Sequence, residues 1–463
     1  MSALPQHIIS DLKAVVGDQW VVVEKRAIER YLYDETAYGV RPQPAAEVVV
    51  VKPGSTEEVA EVLKVANKHK VPVHVRGGGT GLVGGAIPTK PGIVVTLERM
   101  DRVVIDSENM VAEAEAGATL GKLIEEAEKH NFMFPAHPGD EGASIGGLIA
   151  CNAGGSRAVK TGVMRNYVLG LEVVLPTGEV LKLGAKTIKN NFGYNLAHLL
   201  IGSEGILGVI TRAYLRLYPK WSYAATVVIP FDSRVNAFRV AKKLLFSGFI
   251  PLALEYFDRR VIENSAKYLG LQWPIKEGEY FLMVMLAEPL EDVLFLELEY
   301  IDRVAREEGS LEPFATQRED EQKTLLKIRS EIFSSLKSET FDILDTTVPL
   351  GNVDRFIEKI IDIERRYGIW LPVYGHVGDG NVHVHVLNYQ GFSKDQLEKI
   401  AEDVYDAALM LGGVITGEHG IGYARKKYVK KLLGSAWVET MRKLKAALDP
   451  NNILNPDKVI PEE

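Results

Sequence analysis

The chain has 463 residues, 46% apolar and 25% charged, an ordinary globular composition with room for two or three domains. Its 54 basic and 62 acidic residues leave a net charge of −8, which argues against a nucleic-acid surface. Cys151 is the single cysteine, so the chain can form no intrachain disulfide and cannot hold a cysteine-ligated iron–sulfur cluster by itself.

The N-terminus lacks the basic and apolar regions of a signal peptide, and no run of about 18 apolar residues occurs. The expected location is cytoplasmic, with peripheral docking to a membrane left open. Residues 7–16 and 24–33 read as helices, followed by a proline-rich link at 41–44. Residues 47–52 and 71–76 read as strands flanking a helix over 55–69, which Ser55 and Glu58 would open as a capping box. Such a β-α-β unit normally gives parallel strands.

The unit ends in R-G-G-G-T-G-L-V-G-G-A, residues 76–86, with six glycines in eleven positions. Backbone N–H groups free of side chains make a nest for a pyrophosphate. Gly79, Gly81 and Gly84 match the dinucleotide fingerprint in spacing, but Pro88, Pro91 and a strand over 93–97 follow where that motif needs a helix. This context argues against a nicotinamide-type site and favours a nest of another architecture. A helix over 118–131 precedes a second glycine-rich stretch, residues 135–157, with Ser144, Asn152, Ser156 and Arg157 as hydrogen bonders. Residues 169–175 and 180–183 read as a hairpin, and a third glycine cluster spans 201–211. Three such loops in one half suit a long cofactor lying across the domain.

Residues 221–387 read as strands and helices of a separate α+β domain, an antiparallel sheet with helices on one face. A charged helix is expected over 318–337; Arg329 sits at the edge of its apolar face. Taken alone, Arg329 reads as a solvated arginine paired with Glu331 or a neighbour. Strands over 371–377 and 382–387 flank the turn Gly378-Asp379-Gly380-Asn381, a strong hairpin signal. That loop would pair His376 with His383, roughly 5 Å apart at Cβ, close enough to grip one metal ion. His385 shares the face of His383 and is expected to line or support the site without binding the ion. After a helix over 393–411 comes G-E-H-G-I-G, residues 417–422, whose adjacent Glu418 and His419 would point to opposite sides of an extended segment.

These motifs, in this order, resemble the flavin-linked D-2-hydroxyacid dehydrogenases (D-lactate, glycolate and D-2-hydroxyglutarate dehydrogenases) of the vanillyl-alcohol oxidase superfamily. That group carries G-H-x-G-D-G-N-x-H, here Gly375–His383, and G-E-H-G-x-G, here Gly417–Gly422. The resemblance implies an α+β fold: a PCMH-type FAD-binding domain over 1–220 (subdomains about 45–105 and 106–220), a substrate or cap domain over 221–412, and a C-terminal segment, 413–463, that returns to the first domain. It implies FAD on Gly77, Gly78, Gly79, Thr80 and Gly81. Further flavin contacts would come from Pro138, Ser144, Gly147, Asn152, Gly155, Arg157, Gly205, Ile210 and Asn455. The first loop has no histidine, so the FAD is expected to be non-covalent.

The same resemblance makes His376, His383 and Glu418 the ligands of a divalent metal, with zinc first and iron or manganese as alternatives. It makes His419 the general base and Arg329 the clamp for the substrate carboxylate. The implied reaction oxidises a D-2-hydroxy acid, D-lactate first, with glycolate and D-2-hydroxyglutarate as alternatives, by hydride transfer to flavin N5. Electrons would leave to an external acceptor: a quinone, an electron-transferring flavoprotein or an iron–sulfur subunit. A homo- or hetero-oligomer, a role as the flavin subunit of a larger electron-transfer complex, and a metallohydrolase with merely structural glycine loops are the competing readings.

Overall fold

The computed structural model describes residues 4–462. Three sheets account for most of the strands among them, and the order of the strands explains where the site forms. The first sheet is Val21–Val22, Val48–Val51, Gly92–Thr96 and Val73–Arg76, in that spatial order. The strands of the expected β-α-β unit are not neighbours. Gly92–Thr96 lies between them and pairs in parallel with both. Its five residues are all buried, so it makes the better centre for the sheet. The crossover helix, Thr56–His69, starts where Ser55 Oγ accepts the N–H of Glu58 at 3.2 Å. The reciprocal half of the capping box is shifted by one residue: Glu58 Oε2 accepts from Gly54 N at 2.7 Å.

The second sheet has five antiparallel strands, Val103–Asp106, Val111–Glu115, Val209–Arg216, Val168–Val174 and Val180–Gly184. Its core is continuous with that of the first sheet, through residues such as Val49, Leu63, Ala114, Ile149 and Val173. The chain end joins the same core through Ile453, Leu454 and Val459. Val73 N donates to Ile453 O at 2.7 Å and Asn455 N to Val73 O at 2.8 Å, so the tail extends the edge of the first sheet.

The third sheet has seven strands, in the order Phe314–Thr316, Tyr223–Phe231, Tyr280–Glu288, Ala253–Asp258, Val373–His376, Asn381–Leu387 and Thr340–Thr347. Every pairing in it is antiparallel. Helices cover both faces, not one. Arg234–Leu245, Glu291–Glu307, Val353–Tyr367 and Lys394–Met410 pack on one side. Arg259–Tyr268, Glu319–Ser330 and Ile332–Leu336 pack on the other. The charged helix expected over 318–337 is two helices that break at Glu331, with Leu325, Ile328 and Ile332 in the core beside the sheet.

The metal hairpin forms in a different register from the expected one. His376 pairs with Asn381, and His383 pairs with Tyr374. The turn is residues 377–380, one position earlier than the glycine pattern suggests. Relative to the expected pairing the register moves by two residues, an even number, so His376 and His383 stay on one face as diagonal neighbours. Their ring centroids are 5.2 Å apart with the rings perpendicular.

Candidate active site

A cavity of about 1110 Å³ runs between the first two sheets and the third. That is at the upper end of ligand pockets, about 300–1,000 Å³, and suits a long cofactor with a substrate beside it. Gly77 to Gly81 line it, with Pro138, Ser144, Gly147, Gly155, Arg157, Gly205, Ile210 and Asn455. Ser144 Oγ accepts from Gly78 N at 3.3 Å and from Gly147 N at 3.2 Å, tying the first glycine loop to the second. A Cβ on Gly78 would stand 2.9 Å from the carbonyl oxygen of Gly142, so the two loops approach at backbone distance. Asn455 closes this end: its Oδ1 accepts from Val75 N and its Nδ2 donates to Glu204 O, both at 2.8 Å.

Asn152 does not line the cavity. It ends the helix Ile145–Cys151 in the left-handed conformation, φ 51°, and its Oδ1 accepts from Arg165 N at 3.0 Å. A short amide side chain tolerates that conformation, which accounts for the residue without a ligand.

The cap side of the cavity presents Arg329, His376, His383, Glu418 and His419. His376 Nδ1 donates to Glu255 Oε1 at 2.7 Å. Its Nε2 is then left facing Glu418 Oε1 at 3.3 Å, and His383 Nε2 faces the same oxygen at 3.5 Å. Metal bonds of about 2.1 Å in a tetrahedron have ligand–ligand edges of about 3.4 Å. Two edges of such a polyhedron are thus in place. Burial works against charge on His376, yet Glu255 and Glu418 outweigh it and push its pKa up to about 10. Burial, His419 and His376 push His383 down to about 3, and the histidines beside Glu418 overcome its burial and hold it down at about 2. The pocket stabilises positive charge at His376 and keeps a neutral imidazole and a carboxylate beside it, groups of the kind that ligate divalent cations.

A second grouping overlaps this one. Asp345, His383, Glu418 and His419 each offer an atom within 4.8 Å of the others. Asp345 is already engaged, however. Its Oδ2 accepts from Gly417 N, Glu418 N and His419 N at 2.8 Å each and from Thr416 Oγ1 at 3.1 Å, and its Oδ1 accepts from Asn381 Nδ2 at 2.8 Å. Nε2 of His376, Nε2 of His383 and Oε1 of Glu418 instead converge on one another at 3.3 and 3.5 Å on the cavity wall.

Arg329 is buried, not solvated, and it does not pair with Glu331. It pairs with the fully buried Glu255 and sits 5.4 Å from the Tyr374 ring centroid. Its Nε is buried and has no hydrogen-bond partner among the described residues. Burial alone would raise the pKa of Glu255, but Arg329 and His376 keep it lowered. His385 is fully buried and bonds Thr340 Oγ1 at 2.8 Å and Tyr374 Oη at 3.1 Å. Burial pushes its pKa down to about 3, and it braces Tyr374, whose ring leans on His383 at 5.3 Å. Glu255 and Asp345 were missed by sequence reasoning. Each lies in a strand buried on both faces, Ala253–Asp258 and Thr340–Thr347, and the only signal was an acid among the apolar residues of such a segment.

The two halves meet through Glu204, whose carboxylate accepts from Ile421 N at 2.7 Å and Gly422 N at 2.8 Å. This clips the third glycine cluster to the segment carrying Glu418 and His419. Among the described residues no helix is long and apolar enough to cross a membrane.

Residues 220–459 match the C-terminal domain of FAD linked oxidases, and residues 48–184 match an FAD binding domain. A D-lactate dehydrogenase of Archaeoglobus fulgidus is 43% identical over 93% of this chain and 96% of its own. A D-lactate dehydrogenase of Anaerostipes hadrus is 34% identical over 96% and 95%, and the glycolate oxidase subunit GlcD of Bacillus subtilis is 34% identical over 94% and 92%. Among solved structures, p-cresol methylhydroxylase with substrate bound superposes with a TM-score of 0.77 at 17% identity, covering 98% of this chain and 96% of that one. An alkyldihydroxyacetonephosphate synthase gives 0.77 at 19% identity, over 98% and 86%. The chain is an oxidoreductase of the FAD-linked oxidase family, in the group of the D-lactate dehydrogenases, built on the PCMH-type flavin-binding fold.

Proposed function

We propose that the protein is an FAD- and divalent-metal-dependent dehydrogenase that oxidises a D-2-hydroxy acid, with D-lactate, converted to pyruvate, as first substrate. In this reading residues 1–220 carry non-covalent FAD, residues 221–412 the substrate, and residues 413–463 return to complete the site. The observation that carries it is convergence. One cavity is lined by three glycine loops, by His376, His383, Glu418 and His419, and by Arg329. The D hand and the choice of lactate rest on the named relatives.

Arg329 takes the substrate carboxylate; its spare N–H groups make charge-assisted bonds, and Tyr374 and Glu255 hold the guanidinium in place. Leu326, Phe333 and Met285 add an apolar wall that suits a short side chain such as the methyl of lactate. His419 takes the hydroxyl proton at Nε2, because its Nδ1 faces Asp345. When bound, FAD supplies a two-electron acceptor, and the cation, zinc first with iron or manganese as alternatives, supplies Lewis acidity at the hydroxyl. Electrons then leave to an external quinone, electron-transferring flavoprotein or iron–sulfur subunit.

The test is anaerobic bleaching of the flavin absorbance against D-lactate, L-lactate, glycolate and D-2-hydroxyglutarate. D-lactate should bleach fastest and L-lactate should leave the flavin oxidised. A protein whose flavin responds to none of them is not a 2-hydroxyacid dehydrogenase.

A further inference from the structure

Two buried ring nitrogens at the site have no hydrogen-bond partner among the described residues: His383 Nδ1 and His419 Nδ1. Both face the same carboxylate. His383 Nδ1 stands 3.6 Å from Asp345 Oδ1 and His419 Nδ1 stands 4.0 Å from Asp345 Oδ2. The two rings are stacked, 5.2 Å between centroids and 3° between planes, so they present the same edge to Asp345. Asp345 is 1% exposed and immobile by construction. It lies in the strand Thr340–Thr347, opposite His383 in the pairing with Asn381–Leu387. It also bridges in parallel to Thr416. Its five hydrogen bonds come from Asn381 and from four consecutive residues, 416–419.

From this geometry we infer that Asp345 is a positioning residue that sets two imidazoles at once: its charge, facing both rings, favours the tautomer of His383 and of His419 that carries its proton on Nδ1 and so leaves both Nε2 atoms bare towards the cavity. The inference rests on the roles proposed above for His383 and His419. A carboxylate that holds the far nitrogen of an imidazole fixes its tautomer and ring orientation, for a metal ligand and for a general base alike. One carboxylate here does both, and the same atoms pin the backbone that carries Glu418. Contacts of 3.6 and 4.0 Å are longer than a hydrogen bond, so Asp345, whose oxygens already accept five, acts on both rings through its buried charge. Asp345 thereby couples cation binding and proton removal through a residue that touches neither substrate nor flavin.

The experiment uses the FAD-loaded full chain with Asp345→Asn, which keeps the shape and removes the charge and one acceptor. His419→Ala and His383→Ala run in parallel. The probe for the ligand set is Co(II), titrated into metal-stripped protein and followed by its visible absorption. Asp345→Asn should keep its flavin spectrum, bind Co(II) about 10–100-fold more weakly with an altered band, and lose kcat by about the same factor. KM should change less than kcat does. Wild-type Co(II) binding and kcat in Asp345→Asn, beside an impaired His419→Ala, would overturn the inference while leaving the proposed function intact. An unimpaired His419→Ala would instead remove the proposed base. Complete loss of the Co(II) band, as in His383→Ala, would make Asp345 a direct ligand and also overturn the inference. Should Asp345→Asn shed its flavin, Asn381→Ala decides. It frees one end of the carboxylate, and it should lower kcat about tenfold with flavin retained; an unchanged kcat counts against the inference.

Discussion

The flavin half and the cap half build their walls of the same cavity from opposite materials. On the flavin side the closest approaches are made by backbone, at Gly77 to Gly79, Gly81, Gly147, Gly155 and Gly205, with side chains such as Ser144, Arg157 and Asn455 set among them. On the cap side it is ionisable side chains held by other buried side chains: His376 by Glu255, the Glu418 and His419 loop by Asp345, Arg329 by Glu255. The first design recognises a ligand by shape and N–H direction; the second holds charge in a low-dielectric wall. A methyl group should damage the first, and loss of a single charge the second.

The largest break in that comparison should come from the cap. His419→Ala should lower kcat by about 100-fold or more with flavin content unchanged, read from steady-state turnover and the flavin spectrum. A loss below about tenfold would remove it from the proton step. Next comes Arg329→Ala. A charge-assisted bond contributes about 1.5–3 kcal/mol, so kcat/KM for D-lactate should fall roughly 10–150-fold. Lys327→Ala is the control, since Lys327 lines the same cavity; equal effects would make the arginine's role one of bulk charge.

On the flavin side, Gly79→Ala puts a side chain at φ 75° and a Cβ 2.0 Å from Arg76 Nη2. Strain of about 1–2 kcal/mol predicts FAD binding roughly 5–30-fold weaker, measured by flavin fluorescence, with Co(II) binding unchanged. A matching loss of Co(II) binding would mean that the two walls are not independent. The smallest effect concerns stability. His74 is buried, its Nε2 donates to Lys90 O at 2.9 Å, and burial pushes its pKa down to about 4. The folded state therefore binds its proton less readily than the unfolded chain. The stability this contributes is full above the unfolded pKa of about 6.5 and is lost as pH falls from there towards 4. Between pH 7.5 and 5.5 the loss should be roughly 1 kcal/mol, and His74→Gln should flatten that part of the pH–stability curve.

The same contrast explains how much of the molecule was legible in its sequence. Close backbone approach needs glycine, so the flavin wall was written as three glycine clusters, and the two histidine motifs stood out because their residues do little else. The α+β character of the second half followed from the order of its strands and helices, and the PCMH-type fold from the family resemblance of the motifs. The hairpin register did not, because G-D-G-N offers two four-residue turns one step apart, and packing chose the earlier one. It was the shared parity of those registers that kept His376 and His383 on one face. Gly92–Thr96 could not be placed at the sheet centre from local pattern, since insertion of a strand is a tertiary choice. Arg329 read as solvated because its partner, Glu255, lies 74 positions away in a strand that pattern alone did not reveal. Asn152, which the resemblance offers as a flavin contact, stands at a helix end between the cavity-lining Cys151 and Ala153, and its side chain answers the backbone.

The central claim is that the flavin wall and the His376, His383 and Glu418 wall serve one reaction. The most direct measurement is the single-turnover rate at which D-lactate reduces bound FAD, anaerobically, in wild type and in His383→Ala loaded with equal flavin. Removal of a cation contributing several kcal/mol predicts reduction at least about 100-fold slower in the variant. Equal rates would contradict the account.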